Sequence, residues 1–366
     1  MRILLTTDGY VPMINGVVTS VLNLRQELIN RGHDVRILTL STNEHSYTEN
    51  SVYYLGSFRF PIYPDLHATM HMSSSFMNEI LAWKPEIVHS QCEFFTFKFA
   101  RRIASRSGAP LIHTYHTMYE SYAKYVKLNE RMGDMAVPRF LHSRLRNVQR
   151  IIAPTQKVAD ALKSYRLHAP ISIVPTGIDL SKFLLKDPEE TRELQRANLK
   201  IKKGSTVLVS VGRIAQEKNS EELVRNMIPL VAWNKDLVLL FVGDGPQRLY
   251  LQELVRSLSL TDNILFSGMV SPDKIASYYQ MGDIFVSASE SETQGLTYIE
   301  AMASALPVVC RFDTCLTNVV TEGYNGYTYD ENHEYITAIK RIFEDKELAK
   351  SLSVHSLEVA KQIFQN

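Results

Sequence analysis

The longest uninterrupted apolar run in this 366-residue chain is about six residues, 237–242, far short of the ~20 that a membrane-spanning helix needs. No spanning segment is expected. The opening Met1-Arg2-Ile3-Leu4-Leu5 enters a strand pattern directly and has no signal-peptide cleavage region, so export by that route is not expected either. Cysteine is scarce: Cys92, Cys310 and Cys315 are odd in number and lack the paired spacing of a zinc site or a disulfide framework. That pattern fits a reducing cytoplasm and a packing role. No Asp-x-Asp pair occurs, which argues against a divalent metal clamped by adjacent carboxylates on a nucleotide diphosphate. No Gly-x-Gly-x-x-Gly turn follows the first strand, which argues against a dehydrogenase. Net charge is nearly absent, with 40 Lys+Arg against 39 Asp+Glu, and 45% of the residues are hydrophobic. Such a composition excludes disorder. The length exceeds what one hydrophobic core usually serves, so two domains are expected, with a single large barrel as the competing arrangement.

The neutral total conceals an asymmetry. Residues 1–175 carry 20 Lys+Arg against 13 Asp+Glu, and the remainder carries 20 against 26. Lys124, Lys127, Arg131, Arg139, Arg144, Arg146 and Arg150 meet only Glu130 and Asp134 across their span, interleaved with large apolar side chains. One reading is a basic surface that lies on an anionic membrane. The other is an amphipathic helix that covers the core with a solvated basic face. No nucleic-acid recognition motif accompanies the charge, so nucleic acid is not an expected partner.

Short β-branched runs alternate with segments of helical period, the pattern of parallel sheets with crossover helices. The class is α/β. Strands are expected at residues 3–7, 35–40, 87–90, 111–114 and 151–154, then at 207–212, 237–243, 264–266, 284–287 and 307–310. Val17, Val18, Val21, Leu22, Leu28 and Ile29 recur at helical spacing, and Gly32 ends that helix. The polar, highly charged stretch 181–204 reads as the boundary between domains at 1–180 and 181–366.

Open parallel sheets bind ligands beyond the carboxyl ends of their strands, so residues just after each strand are the informative ones. After the first strand, Gly16 stands at a helix start, where backbone N–H groups and the helix dipole favour a phosphate or simply a tight turn is needed. Arg213 and Lys218 are two cations five residues apart that suit a diphosphate. Gly243-Asp244-Gly245-Pro246 reads as a structural turn with Pro at the first helical position. In Glu292-Thr293-Gln294-Gly295-Leu296-Thr297-Tyr298-Ile299-Glu300 a glycine opens a helix that can receive an anion, and carboxylates stand on either side, placed for sugar or ribose hydroxyls. His116 ends the His113-Thr114-Tyr115-His116 strand as a ligand, a base or a core histidine. His67 and His71, four apart, lack a third metal ligand and are discounted.

Taken in order, Gly16-Val17, the His-Thr-Tyr-His strand end, Val174-Pro175-Thr176-Gly177-Ile178-Asp179, Gly212-Arg213 with Lys218, Gly243 to Pro246, and Glu292 to Glu300 followed by Ala301 to Val309 resemble the retaining family-4 glycosyltransferases over nearly the whole chain. Within that family, Asp8 to Val18, His113 to Tyr122 and Ser291 to Tyr298 look more like the bacterial 1,2-diacylglycerol 3-glucosyltransferases than like sucrose or glycogen synthases. Gln294 departs from an aromatic residue common in the wider family, and Ala305-Leu306 from a frequent glycine.

The resemblance implies the GT-B architecture, two facing Rossmann-like doubly wound domains with the active site in the cleft, a last helix that packs back on the first domain, and no metal or other cofactor. It implies that catalysis rests on Glu292, His116, Arg213 and Lys218. It implies a donor site of Gly16, Arg213, Lys218, Val270, Glu292, Gln294, Gly295, Leu296, Thr297 and Glu300, with Glu300 on the ribose, the Val270 backbone on the base, and Glu292 and His116 on the sugar. The activity so implied is retaining transfer of a hexose, glucose from UDP-glucose, to diacylglycerol, giving an α-glycolipid. The protein would be cytoplasmic and peripheral on the inner face of the cell membrane, with Lys124, Lys127, Arg131, Arg139, Arg144 and Arg146 as the membrane and acceptor surface. A different acceptor, such as a glycosylated lipid, a polysaccharide precursor or a protein, is the alternative, and so is a non-catalytic sugar-nucleotide-binding subunit.

Overall fold

In a computed structural model that describes residues 1–59, 67–69, 74–118, 130–184 and 189–365, the chain divides into two units, Met1–Gly177 and Ile178–Asn366. In the first, β1 (Arg2–Thr6), α1 (Gly16–Asn30), β2 (Asp34–Leu40), β3 (Tyr47–Glu49), β4 (Val52–Leu55), β5 (Phe58–Arg59), β6 (His67–Ala68), α2 (Ser74–Trp83), β7 (Ile87–Ser90), α3 (Phe95–Ser107), β8 (Leu111–Thr114), α4 (Glu130–Leu145), β9 (Arg150–Ala153), α5 (Gln156–Ser164) and β10 (Ile171–Ile173) follow in order. The sheet runs β10-β9-β8-β7-β1-β2-β4-β3. It is parallel except at β3, which pairs antiparallel with β4. β5 and β6 pair separately.

Local chemistry accounts for these elements. Ile3, Leu4 and Leu5 in β1 are buried on both faces of the sheet, as a parallel strand under helices requires. The α1 helix starts where the Asn15 side chain accepts the Val18 N–H at 3.0 Å. It ends at Gly32, whose φ of 78° lies in the left-handed region.

The second unit contains α6 (Ser181–Leu184), α7 (Glu189–Asn198), β11 (Thr206–Val211), α8 (Ser220–Trp233), β12 (Leu237–Val242), α9 (Arg248–Ser257), β13 (Ile264–Gly268), α10 (Ile275–Gln280), β14 (Ile284–Ser287), α11 (Leu296–Ala303), β15 (Val308–Arg311), β16 (Gly326–Tyr329), α12 (Asn332–Glu344) and α13 (Lys346–Gln365). Its strand order is β13-β12-β11-β14-β15-β16, all parallel. That is the doubly wound order in which the chain reverses direction across the sheet between its first strand, β11, and its fourth, β14. Every residue of β12 is buried, which explains its uninterrupted apolar run. α13 buries Leu352 and Ala360 in the core of this unit. No helix among the described residues is long and apolar enough to cross a membrane.

In the charged stretch 181–204, α6 and α7 occupy much of the length. Arg196 of α7 is 5% exposed and donates to the Met281 carbonyl at 2.9 Å and to Asp283 at 2.9 Å. A buried guanidinium that satisfies carbonyl and carboxylate acceptors gives the same composition as a solvated linker. One expectation is corrected: Pro246 does not open its helix, since α9 begins at Arg248. The glycines of that turn are required by close backbone approach, because a Cβ on Gly243 would collide with the Gly212 carbonyl.

Candidate active-site residues

In the second unit the reversal falls between β11 and β14, so the loops after these two strands leave the sheet in opposite directions and open a crevice at its carboxyl edge. The loop after β11 carries half-buried Arg213 and ends in a 3-10 turn, Gln216–Lys218. The loop after β14 carries Glu292. These loops meet: Lys218 Nζ donates to Glu292 Oε1 at 2.6 Å, with side-chain exposures of 29% and 13%. Ser291 Oγ donates to the Glu217 carbonyl at 3.1 Å. The Glu292 N–H donates to Asp313 Oδ2 at 3.3 Å. The carboxylate is therefore anchored through its backbone as well as through its cation.

Gly295 caps α11 with φ 73° and ψ 49° and offers no side chain to its amides. A Cβ there would press on Tyr298 and Leu316. Gln294 is buried just before it, and Leu296 and Thr297 form the first turn, so the amide end of α11 follows Glu292 in the same loop after β14. Glu300 lies further along α11, where its Oε2 accepts the Tyr279 hydroxyl at 2.7 Å. Burial raises the Glu300 carboxyl above its usual range, and the Tyr279 hydroxyl pulls it partly back. Val270, just past β13, is buried in the same apolar cluster as Tyr279 and Tyr298. Tyr279 escaped the sequence reading because α10 reads only as a core helix.

In the first unit the reversal falls between β1 and β7. The loop after β1 leads through Asp8 to Gly16. Asp8 accepts the Phe95 and Thr96 N–H groups at 3.0 and 2.7 Å, capping α3 from a neighbouring loop because the α3 cap residue Phe94 supplies no side-chain acceptor. Burial nonetheless raises the Asp8 carboxyl.

Toward the carboxyl ends of β7 and β8 lies a histidine cluster, with His89 in β7, His113 in β8 and His116 just past β8. His116 Nε2 meets Gln91 Oε1 at 2.8 Å, His113 Nε2 meets Glu93 Oε1 at 2.9 Å with both side chains buried, and His89 Nε2 meets Thr114 Oγ1 at 2.7 Å. Burial lowers His116 to about 4, with Glu93 pulling it up and His113 pushing it down. Burial also lowers His89 to about 3, helped by His113 and His116. Both rings are neutral at pH 7. Gln91 and Glu93 were not anticipated, although the rule that singled out Gly16 and His116, looking just past each strand, applies equally to the residues after β7.

The basic surface is divided. Lys124, Lys127 and the Arg131 side chain lie outside the described residues. Arg139 and Arg144 are on α4, and Arg146 follows it. The Arg144 guanidinium sits 5.4 Å from the Phe140 ring, Phe140 packs on Phe94, and Leu141 and Leu145 are buried, so this part of the segment covers the core and keeps its cations outward. A second basic face went unread: α3 exposes Lys98, Arg101, Arg102 and Arg106 and contains no acidic residue. Among the described residues no group of three His, Cys, Asp or Glu side chains could hold a metal ion.

Two Rossmann-type sheets with polar residues gathered beyond the strands at each reversal are the GT-B glycosyltransferase fold. The family described as Glycosyltransferase Family 4 matches residues 14–182, and Glycosyl transferases group 1 matches residues 191–356. The chain belongs to the family-4 glycosyltransferases. The α-monoglucosyldiacylglycerol synthase of Streptococcus pneumoniae is 33% identical over 342 residues, covering 93% of this chain and 77% of that protein. The enzyme of the same name from Acholeplasma laidlawii is 29% identical over 378 residues, covering 100% of this chain and 94% of that protein. Among solved structures, sucrose-phosphate synthase from Thermosynechococcus elongatus superposes with a TM-score of 0.79 at 20% identity, over 99% of this chain and 94% of that one.

Proposed function

We propose that the protein is a retaining, metal-independent hexosyltransferase that moves glucose from UDP-glucose to diacylglycerol at an anionic membrane surface and forms an α-glycolipid on the cytoplasmic face. The observation that carries this reading is the Lys218–Glu292 pair, which joins the loop that carries Arg213 to the loop that opens α11 at the switch point of the second sheet. A cation already held by a carboxylate can turn to a diphosphate while the carboxylate turns to a sugar hydroxyl. Two relatives named α-monoglucosyldiacylglycerol synthase support the choice of sugar, linkage and acceptor.

In this mechanism Arg213 and Lys218 meet the diphosphate, helped by the helix starts at Gly16 and Gly295. Glu300 takes ribose hydroxyls, the Val270 backbone meets the base, and Glu292 and His116 take sugar hydroxyls. The bond from the anomeric carbon to the diphosphate oxygen breaks as the bond to the acceptor oxygen forms on the same face. The acceptor's proton passes to the departing phosphate, so no protein nucleophile is assigned. Charge growing on the leaving group is stabilised by fixed cations and amides, the largest contribution such a site makes. The α3 and α4 cations draw the protein to anionic headgroups, each contributing about 1 kcal/mol near the surface.

The test offers labelled UDP-glucose, UDP-galactose and GDP-mannose to vesicles of diacylglycerol with anionic lipid, with Glu292→Gln as control. An α-linked glucosyl lipid from UDP-glucose, absent in the control, is the expected product. Transfer to soluble acceptors in preference to vesicles refutes the lipid acceptor, and turnover that depends on a divalent metal refutes metal independence.

A further inference from the structure

Gln91 is 2% exposed, and its position is not left to its side chain. Its N–H donates to the Thr6 carbonyl at 2.8 Å, extending the β1–β7 pairing by one residue. Tyr115, next to His116, is fixed in the same way by an N–H bond to the Ile152 carbonyl at 2.9 Å. Two rigid strand ends thus bring Gln91 Oε1 to 2.8 Å from His116 Nε2.

A carboxamide oxygen can only accept, so this contact requires the proton on Nε2 and leaves Nδ1 with a lone pair. We infer that Gln91 is a positioning residue that holds His116 as the neutral Nε2–H tautomer, so that Nδ1 is offered as an acceptor to a substrate hydroxyl. The inference rests on the reading of His116 as a sugar-facing residue and adds which atom does the facing and what sets it.

The surroundings agree with a neutral ring. The titratable groups of this cluster are Glu93, His113 and His89, with Asp8 and Cys92 beside Glu93. Among the described residues, the carboxylate that acts on His116 is Glu93, and it is bonded to His113 at 2.9 Å. An amide at position 91 therefore orients the ring without adding charge, which a carboxylate could not do. Gln91 Nε2 is buried without a partner among the described residues. Reversing the amide would bury an oxygen there instead and would demand the opposite His116 tautomer, so the tautomer itself decides the case.

The experiment is 15N-histidine NMR on the full chain, with His116→Asn to assign the resonance, on wild type, Gln91→Glu and Gln91→Met, paired with the transfer assay over pH 4–8. The expected result is an Nε2–H His116 that is neutral from pH 8 down to about 5 in wild type and gains its proton only near pH 4. Gln91→Glu raises its titration by about one unit or more, and the acid limb of kcat/KM moves with it. Gln91→Met leaves a mixture of tautomers and lowers kcat/KM by about tenfold. An Nδ1–H tautomer in wild type, or a His116 titration that Gln91→Glu does not move, overturns the inference whether or not sugar is transferred. The expected tautomer and shift with no transfer from any donor upholds the Gln91–His116 arrangement and overturns the transferase reading instead.

Discussion

Replacing Lys218 by Met removes a cation while keeping most of the side chain's volume. At an effective dielectric of ~20 and roughly 4 Å, a charge pair interacts by about 4 kcal/mol. Part of that is offset when Lys218 gives up Glu292, to which it is bonded at 2.6 Å, and the net worth of a charge-assisted hydrogen bond is about 1.5–3 kcal/mol. UDP affinity of Lys218→Met, read by titration calorimetry, is therefore expected to fall by about 10- to 100-fold. Glu292→Gln works in the opposite direction. It frees Lys218 from a partner that competes with the diphosphate, and because the pair is partly exposed its own worth is discounted to about 1 kcal/mol. UDP binding is then expected to strengthen by up to about fivefold while sugar transfer collapses. The double variant should bind UDP like Lys218→Met, since Glu292 acts on the diphosphate only through Lys218. Thermal melts of each variant separate binding from folding. A Glu292→Gln protein that loses UDP affinity as severely as Lys218→Met would refute the exchange of partners.

Glu93→Gln keeps the shape of the buried Glu93–His113 contact and removes its charge, so urea unfolding should show a loss of about 1.5–3 kcal/mol; a loss below about 0.5 kcal/mol would count against a structural role for the pair. His89 and His116 have folded pKa values near 3 and 4, below the unfolded value, so the unfolded chain binds more protons between those values and about 6.5 and stability falls as pH drops through that window. By pH 5 each ring removes about 2 kcal/mol; buried Asp8 and Glu300, with raised pKa values, work the other way. Replacing His89 with Asn should shrink the loss between pH 7 and pH 5 by about 2 kcal/mol, and an unchanged loss would contradict the assignment. Reversing Arg101 and Arg102 to Glu on α3 should weaken flotation with anionic vesicles by at least about 30-fold at low salt, leave neutral vesicles unaffected, and leave UDP binding unchanged.

Much of this was legible because parallel α/β folds write their architecture locally. Each expected strand is a short apolar run that the sheet buries, and each loop singled out begins at a strand's carboxyl end. The tyrosine-bearing strands were harder to read. Val52-Tyr53-Tyr54-Leu55 and Gly326-Tyr327-Thr328-Tyr329 form β4 and β16, yet phenol hydroxyls disguise them as half-polar segments; in the structure Tyr53 donates to Glu79 at 3.0 Å, so its ring is buried while its oxygen is satisfied. Arg196 is the opposite case, a charged side chain that the structure buries on carbonyls. Site partners such as Tyr279 for Glu300, and Glu93 for His113, come from distant positions in the chain, and no periodicity encodes a pairing across that separation.

The two units handle charge differently, and the difference follows from what each is proposed to bind. In the second unit Lys218 and Glu292 keep 29% and 13% of their side-chain surface exposed. A partly exposed pair can exchange partners at modest cost, as suits a dianionic group that must enter and leave. In the first unit burial holds the rings of His89 and His116 neutral at some expense in stability. A neutral imidazole accepts from a hydroxyl, which an imidazolium cannot do. A partly exposed ion pair in one unit and neutral, hydroxyl-accepting rings in the other are the two chemistries that the transfer proposed above would use. The first unit thus keeps the cations of α3 on an exposed face and its buried histidine rings uncharged.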